Sequence, residues 1–473
     1  MKNKILLSLV ATAMLSTSSF ADTAKDIKEL KAQIADLQAY IEDVEDNLGA
    51  VETRSYSDKI QLGLGMRVEA NNYSTTYANG SSPANEGAIW RTKLNINMKS
   101  KIADNLKFTG RLSTYKNWGD SSPDYLGMTD VDSRQGRTPD NSNALYVERA
   151  YLDWYMTKGK VPLTLTIGRQ PSSDGPSYQI KEGTARKGTY DALAFDGAAD
   201  GVVLTANLSK VTPGKTALRI TYGKPNNGSN YQSDLKDTTA LGVFIDKECE
   251  AIKYKHLIQA YYVVAKDLNA NPRAFDMNSS SPTYMTVTGD KNIGDFDIYG
   301  AMFEIQNVNK FDFFIHYSYS IAKPNGKTID LDGPAISGKG YDTVGLLTSQ
   351  ANDISEKTGD AIWVGTRYKV DANYAVGAEY NKGSQYWFSA TYAPNDPMNK
   401  LATRGDAIEL YASKKINKFA NIRVGYVDIN YDYTGSGMHL GTPMKIDDPR
   451  VVGADNQAIK EKTNTYITFN VLF

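Results

Sequence analysis

Apolar and polar residues alternate with a period of two over much of the chain after Lys59. In the segment Ile60–Ala70 every even-numbered residue is apolar, and alternation returns in Trp90–Met98, Leu106–Leu112 and Ala150–Trp154. Successive side chains of a β-strand point to opposite faces, so each segment predicts a strand with one apolar face. The segments run to about ten residues, the length of a tilted strand that crosses a membrane.

The connections between these segments alternate between short and long. The tight turns are centred on Ala103–Asn105, Lys158–Lys160, Thr212–Gly214, Asn307–Asn309, Asp371–Asn373 and Asn417–Lys418. Long loops rich in Gly, Ser, Asp and Asn lie between them. Short turns at one end and long loops at the other are typical of membrane barrels. The pattern predicts an all-β fold, a transmembrane antiparallel up-and-down β-barrel of about sixteen strands.

A different period precedes the strands. Apolar residues recur at alternating steps of three and four, at Ile27, Leu30, Ile34, Leu37, Ile41, Val44, Leu48 and Val51. This a/d pattern, sustained for about four heptads, predicts a short α-helical coiled coil that self-associates. A helix packed on a soluble domain is the alternative, but such a helix usually has a wider apolar face. The residues at positions a and d do not distinguish a dimer from a trimer.

The N-terminus has the features of a secretory signal. Lys2 and Lys4 precede the apolar stretch Ile5–Leu15, and Ser19-Phe20-Ala21 fits a small-x-small cleavage site. The apolar stretch is too short to cross a bilayer, which needs about 20 residues. We therefore predict a signal peptide over 1–21, a periplasmic coiled-coil oligomerisation segment over 22–54 and a barrel over 55–473.

Composition excludes several classes of protein. A mean hydropathy of −0.45 is too polar for a membrane helix bundle, and 31 Tyr suit membrane interfaces. A net charge of −1 gives no basic field for nucleic acid. His256, His316 and His439 show no metal-ligand spacing, and Cys249 stands in no nucleophile pattern. We predict no enzyme, no metal site and no cofactor.

Two regions resemble known outer-membrane proteins. The last segment, Thr465–Phe473, alternates and ends in Phe, and it is similar to the terminal strand that the barrel-assembly machinery recognises. The pair Val147–Trp154 and Leu165–Gln170 resembles the strands that precede the constriction loop of general porins. The whole chain most resembles a family of porin-like proteins with a short N-terminal coiled coil. The resemblance implies an outer-membrane location, contact with membrane lipid and a homo-oligomer, with a trimer favoured.

The side chains on the face opposite the apolar residues are predicted to line the lumen of the barrel. Its acidic members are Glu69, Asp153, Glu304, Glu379 and Glu409. Its predicted pore-lining cations are Arg67, Arg91, Lys93, Arg111, Arg149, Arg219, Arg367 and Arg423. Solvated lumen residues without individual roles are the alternative interpretation.

The resemblance to general porins implies that the segment 171–191, after the fifth strand, folds into the lumen as a constriction loop. It carries the charged residues Asp174, Glu182, Arg186, Lys187 and Asp191. A basic wall opposite a charged loop produces a transverse field in a narrow aqueous gap. The excess of inward cations predicts a mild preference for anions.

Two residues do not fit the alternation. Glu148 falls on the lipid-facing positions, where a carboxylate is costly, so we expect it above the hydrocarbon or in a subunit interface. Arg169 also falls on the outward positions, and we expect that its strand has ended there or that a bulge shifts it.

The sequence therefore predicts a porin for passive diffusion of small polar solutes or ions. The alternative is structural: a barrel tethered to the cell wall or to a periplasmic partner through its coiled coil.

The coiled-coil prediction is tested by Ile34→Asp together with Ile41→Asp. Carboxylates in the a/d seam should abolish oligomer formation, which size-exclusion chromatography with light scattering would measure. If tethering is the function, the double variant should also show detached outer membrane with unchanged permeability.

Overall fold

Sixteen antiparallel strands make up most of the residues that the structure describes. The computed structural model describes residues 53–54, 60–83, 88–118, 145–171, 175–226, 235–249, 254–270, 291–330, 343–391, 396–452 and 458–473. The predicted signal peptide and the apolar seam of the predicted coiled coil lie outside the described residues. Thr53–Arg54 pairs with Gln61 and Leu62 as a two-residue strand. These last residues of the predicted coiled-coil segment therefore belong to the sheet.

The strands follow the alternating segments of the sequence. In chain order they are β1 (Gln61–Tyr77), β2 (Ala88–Ala103), β3 (Leu106–Asn117), β4 (Tyr146–Tyr155), β5 (Leu163–Pro171), β6 (Ala198–Asn207), β7 (Lys215–Asn226), β8 (Thr238–Cys249), β9 (Lys255–Ala270), β10 (Lys291–Val308), β11 (Phe311–Pro324), β12 (Lys357–Lys369), β13 (Tyr374–Gly383), β14 (Gly405–Lys415), β15 (Ala420–Tyr431) and β16 (Ile459–Leu472). A separate two-stranded piece pairs Ile329–Asp330 with Thr343–Val344.

The sheet closes on itself. Each strand pairs with the next along the chain, and β16 returns to pair with β1 from Ile459↔Tyr77 to Leu472↔Gly65. The predicted up-and-down barrel of about sixteen strands is thus confirmed. Closure leaves no open sheet edge, a requirement for strands in hydrocarbon.

The connections confirm the predicted division between the two ends. Two residues join β2 to β3 and β10 to β11, and four join β12 to β13 and β14 to β15. The other end carries the long connections, such as 172–197, 325–356 and 384–404.

An apolar belt covers the outside of the barrel. Val243, Ile258, Ile315 and Val424 are each more than 40% exposed although they are large and apolar. Such exposure, repeated at every second position of strand after strand, is suited to lipid. Trp90 and Trp118 stack at the long-loop end with ring centroids 5.1 Å apart.

Glu148 does not face lipid, contrary to expectation. The pairing of β3 with β4 shifts register between Arg111↔Arg149 and Leu112↔Val147, so Glu148 is the extra residue of a β-bulge. The bulge turns both Glu148 and Arg149 inward, where they are 1% and 7% exposed.

Arg169 was expected at a strand end or a bulge, and it lies at neither. Strand β5 continues to Pro171, and its pairing with β6 is regular throughout. Arg169 instead forms an ion pair of 3.0 Å with Asp200, directly opposite on β6.

The inside of the barrel contains an apolar core on one side. Strand residues such as Phe244, Phe296 and Trp363 pack against loop residues that fold in from the long-loop end. Among these loop residues are Leu193, Leu346, Leu347, Trp387, Phe388 and Leu401. Loops from distant parts of the chain thus fill the side of the lumen formed by β8 to β13.

The helices of the described residues are brief. They are α1 (Tyr178–Glu182), a 3₁₀ turn at Lys400–Ala402 and α2 (Pro449–Val452). No helix in the described ranges is long and apolar enough to span a membrane.

The outer belt is tested by Val243→Arg, at the middle of β8. A guanidinium facing lipid near the midplane should cost about 2–4 kcal/mol of unfolding free energy. Urea unfolding of the barrel from lipid vesicles would measure this cost. Thr164→Arg on the inner face of β5 is the matched control, and an equal loss there would contradict the inside–outside assignment.

Candidate functional site: the inner loop and the charged wall

The connection between β5 and β6 folds into the barrel; we call its described part, residues 175–197, the inner loop. Residues Tyr178–Glu182 of this loop form α1, in which Tyr178, Gln179 and Ile180 are buried. Gly183 ends the helix in the left-handed conformation, at φ 65°, which favours glycine. A Cβ at Gly183 would lie 2.7 Å from Nη2 of Arg367, so a glycine also gives this guanidinium room.

Buried hydrogen bonds fix the inner loop to strands β10 and β11. Ser177 Oγ donates to Glu304 Oε2 over 2.7 Å and lies 3.0 Å from His316 Nε2. Gln179 Nε2 donates to both Glu304 oxygens, at 2.8 and 2.9 Å. His316 Nδ1 lies 2.9 Å from Asp191 Oδ1 at the far end of the loop. These contacts hold both ends of the loop against one wall.

One set of contacts resembles the catalytic triad of serine hydrolases, in which a serine hydroxyl contacts an imidazole and the imidazole contacts a carboxylate. The three residues are Ser177, His316 and Asp191. All three are fully buried, and the Ser177 hydroxyl donates to a carboxylate. No substrate carbonyl can reach this hydroxyl in the observed conformation. We therefore assign the three residues to anchoring the loop.

Ion pairs also connect the inner loop to strands on the opposite side of the barrel. Lys181 Nζ lies 3.1 Å from Glu409 Oε2 on β14. Glu182 Oε1 lies 2.8 Å from Arg423 on β15 and 3.4 Å from Arg67 on β1. The loop thereby joins strands from both ends of the chain.

Burial alone would raise the pKa of Glu182, but the guanidiniums of Arg423 and Arg67 and the Lys187 ammonium outweigh it. Together they hold the pKa of this loop carboxyl well below its usual range. We therefore expect the carboxylate to remain ionised, and its contacts with Arg423 and Arg67 to persist, at a pH where an ordinary glutamate is protonated.

A second contact ties the loop to β8. Arg186 donates to Asp246 Oδ2 with both terminal nitrogens at 3.0 Å, and Arg219 bonds the other oxygen of the same carboxylate. Two guanidiniums therefore share one carboxylate.

The wall of β1 to β4 carries a dense group of cations. Arg91 contacts Glu69 at 2.5 Å. Glu148, turned inward by the bulge, is surrounded by Arg111 at 3.1 Å and by Lys93 and Arg149 at 3.6 Å. Three cations around one carboxylate leave this part of the wall with positive charge.

Cations face water more than carboxylates do. The side chains of Arg67, Arg186 and Arg111 are 27%, 26% and 16% exposed. The carboxylates of Glu148 and Asp246 beneath them are 2% and 4% exposed. Glu182 is an exception, at 19%. The water-facing surface between the inner loop and the wall is therefore mainly cationic.

A buried lysine from another loop completes the network. Lys400 begins the 3₁₀ turn and contacts Glu379 at 2.6 Å and also Glu409. Its burial would lower the pKa of Lys400, but the two carboxylates hold it well above its usual range. Lys400 and Lys181 thus neutralise the facing pair Glu379 and Glu409, which are opposite each other in the sheet.

The structure brings most of the predicted residues to one interior surface. Arg367 lies 3.6 Å from Asp312, and Asp153 accepts a hydrogen bond from Thr166. Lys187 is exposed on the loop, and the predicted loop residue Asp174 lies outside the described residues.

Several partners were missed by sequence reasoning. They are Ser177, Lys181, Asp246, Asp312, His316 and Lys400. None stands in a local motif, and the one available signal was inward position, which Asp246, Asp312 and His316 share.

The sequence showed no nucleophile pattern around Cys249 and no metal-ligand spacing for His256, but the two side chains are in contact. Cys249 Sγ lies 2.7 Å from His256 Nε2, because the two residues are directly opposite on β8 and β9. Within the described residues no group of three or more His, Cys, Asp or Glu is placed to hold a metal ion.

Residues 83–473 match the model of a family described as "Protein of unknown function (DUF3373)". The chain belongs to this family. A comparison with curated proteins finds no match. The closed barrel with its apolar outer belt places the DUF3373 chain in the outer membrane.

Solved outer-membrane barrels are similar in fold at low identity. OmpF of Salmonella typhi, solved in complex with daunomycin, is 14% identical, with 88% of this chain and 99% of that chain covered and a TM-score of 0.47. OprB of Pseudomonas putida is 10% identical, with 88% and 94% covered and a TM-score of 0.48. OmpT of Vibrio cholerae is 11% identical, with 89% and 100% covered and a TM-score of 0.46.

The anchoring of the inner loop is tested by His316→Phe. Phe keeps the ring against Trp363 but removes both nitrogen contacts, which should loosen the loop by about 1–3 kcal/mol. Trypsin should then cut after Lys181, Arg186 or Lys187 roughly tenfold faster than in the wild type, as the masses of the fragments would show. His256→Phe is the matched control on the outer face. Equal resistance of both variants would contradict the anchoring role.

Proposed function

We propose that this protein is a porin-like channel through which small polar solutes and ions diffuse passively across the outer membrane, with a mild preference for anions. The observation that carries the proposal is the layered charge of the interior. Cationic ends reach water, and the carboxylates that balance them lie underneath.

The inner loop supports this proposal because it narrows the lumen without being free to move. Its helix is bonded to β10 at one side and to β14, β15 and β1 at the other. We propose that the fixed loop leaves a narrow gap in the lumen whose walls are set by named side chains. In such a gap the low-dielectric surroundings strengthen the field of the lining charges.

The lining favours anions on electrostatic grounds. A solute in the gap meets Arg67 and Arg111 from the wall and Arg186 from the loop before it meets most of the carboxylates. A surface of one sign raises the local concentration of the opposite ion. Because the buried carboxylates offset part of this charge, the preference should be modest rather than absolute.

The structural alternative rests on the apolar seam from Ile27 to Val51, which predicts self-association. We propose that this segment forms a homo-oligomer on the periplasmic side. A tether to the cell wall or to a periplasmic partner would use the same segment. Pore and tether are compatible, so permeability has to be measured directly.

The first experiment is single-channel recording of the refolded protein in planar bilayers, with reversal potentials across a KCl gradient. We expect discrete steps and a reversal potential on the anion side. Cation-selective steps would keep the pore and overturn the charge assignment. A folded, inserted barrel without conductance would leave the tether as the function.

The charge assignment is tested by the double variant Arg67→Gln with Arg186→Gln. Glu182 keeps Arg423 and Asp246 keeps Arg219, so neither carboxylate is left without a cation. The anion-to-cation permeability ratio should fall by about threefold or more, since two water-facing charges are lost. Lys215→Gln, an exposed cation next to a short turn, is the matched control and should leave the ratio unchanged.

A further inference from the structure

A cavity opens on the inner face of β1 to β4 at the short-turn end of the barrel. Its volume is about 300 Å³. The cations lining it are Lys99, Lys101 and Lys107. Gln61 and Tyr155 add neutral polar groups, and Asp104 lies in the adjoining turn. The cavity is separate from the inner loop, none of whose residues lines it.

The three lysines are close because of the register of two neighbouring strands. Lys101 is directly opposite Lys107, and Lys99 is opposite Thr109, the next inward position on β3. Like charges directly across a strand pair are destabilising. An arrangement of this kind is expected to hold an anion that relieves the repulsion.

Two of these ammonium groups have no partner among the residues that the structure describes. Lys99 and Lys107 are half-buried and make no hydrogen bond or ion pair within the described residues. Lys101 contacts Asp104 at 2.7 Å, but both side chains are largely exposed. Asp153, opposite Lys107 on β4, accepts a hydrogen bond from Thr166 instead. Elsewhere on the inner wall, each cation described above has a carboxylate within reach.

We propose that this cavity is a binding site for a phosphate group, either inorganic phosphate or the phosphoryl end of a small metabolite. A tetrahedral oxyanion accepts several charge-assisted hydrogen bonds, which neighbouring lysine ammonium groups can supply. A cavity of this volume is large enough to admit a phosphate with part of a small organic group.

The site deepens the proposed function and rests on it, because it names the class of anion that passes. Short turns of membrane barrels lie on the periplasmic side. The cavity therefore lies at the periplasmic mouth, below Arg111 on the same face of β3. A phosphate that has passed the inner loop is held here before release, and one leaving the periplasm is held here on entry.

The site is tested by lysine protection, which does not depend on current. The refolded full chain is treated with an amine-acylating reagent, with and without inorganic phosphate or glycerol 3-phosphate, and each lysine is followed by mass spectrometry. Acylation of Lys99 and Lys107 should slow at least about tenfold at saturating ligand, and Lys158 on the next turn should be unaffected. Protection by both ligands assigns the site to phosphoryl groups in general. Protection by inorganic phosphate alone restricts it to the free ion.

The site is also tested by the double variant Lys99→Gln with Lys107→Gln, and Lys158→Gln is the matched control. In planar bilayers phosphate should reduce the chloride current, and the double variant should raise its half-blocking concentration by about tenfold or more. A conducting channel whose lysines are not protected overturns the site and leaves the proposed pore. Protected lysines in a barrel that does not conduct support the site and overturn the pore.

Discussion

The pairing of β16 with β1 is the constraint on which the rest of the structure depends. In hydrocarbon each unpaired backbone group costs several kcal/mol, so the first and last strands must find each other. Their register fixes which residues face inward, because a slip of one residue would exchange the two faces. The apolar belt and the charged interior are both consequences of that single closed register.

The lengths of the charged side chains explain why the charges inside are layered. Lysine and arginine have longer side chains than glutamate and aspartate, and their apolar stems can cover neighbouring groups. When both kinds are attached to the same wall, the cationic ends extend over the carboxylates. Arg186 and Arg219 over Asp246, and Arg111 over Glu148, show this arrangement. A wall with balanced charge can therefore present a surface of one sign to water.

Alternation in the sequence was enough to predict the strands, because side-chain direction in a strand is a local property, and the composition of the connections predicted the short turns. Glu148 was placed wrongly because a bulge adds one residue to β4 without a residue type that marks it. The contacts of the inner loop were out of reach for another reason. Ser177 and His316 are 139 residues apart, and only the closed barrel makes them neighbours. The same holds for the apolar core, which is built from loops that are distant in sequence.

The inner loop has a consequence for the order in which the barrel is assembled. The inner loop follows the fifth strand in the sequence, but the residues that hold it lie on strands much further along the chain and on the first strand. They are Glu409 on β14, Arg423 on β15 and Arg67 on β1. A partly formed barrel has no opposite wall for the loop to reach. The narrowing of the lumen is therefore among the last features to form, and a barrel that fails to close is left wide as well as open-edged.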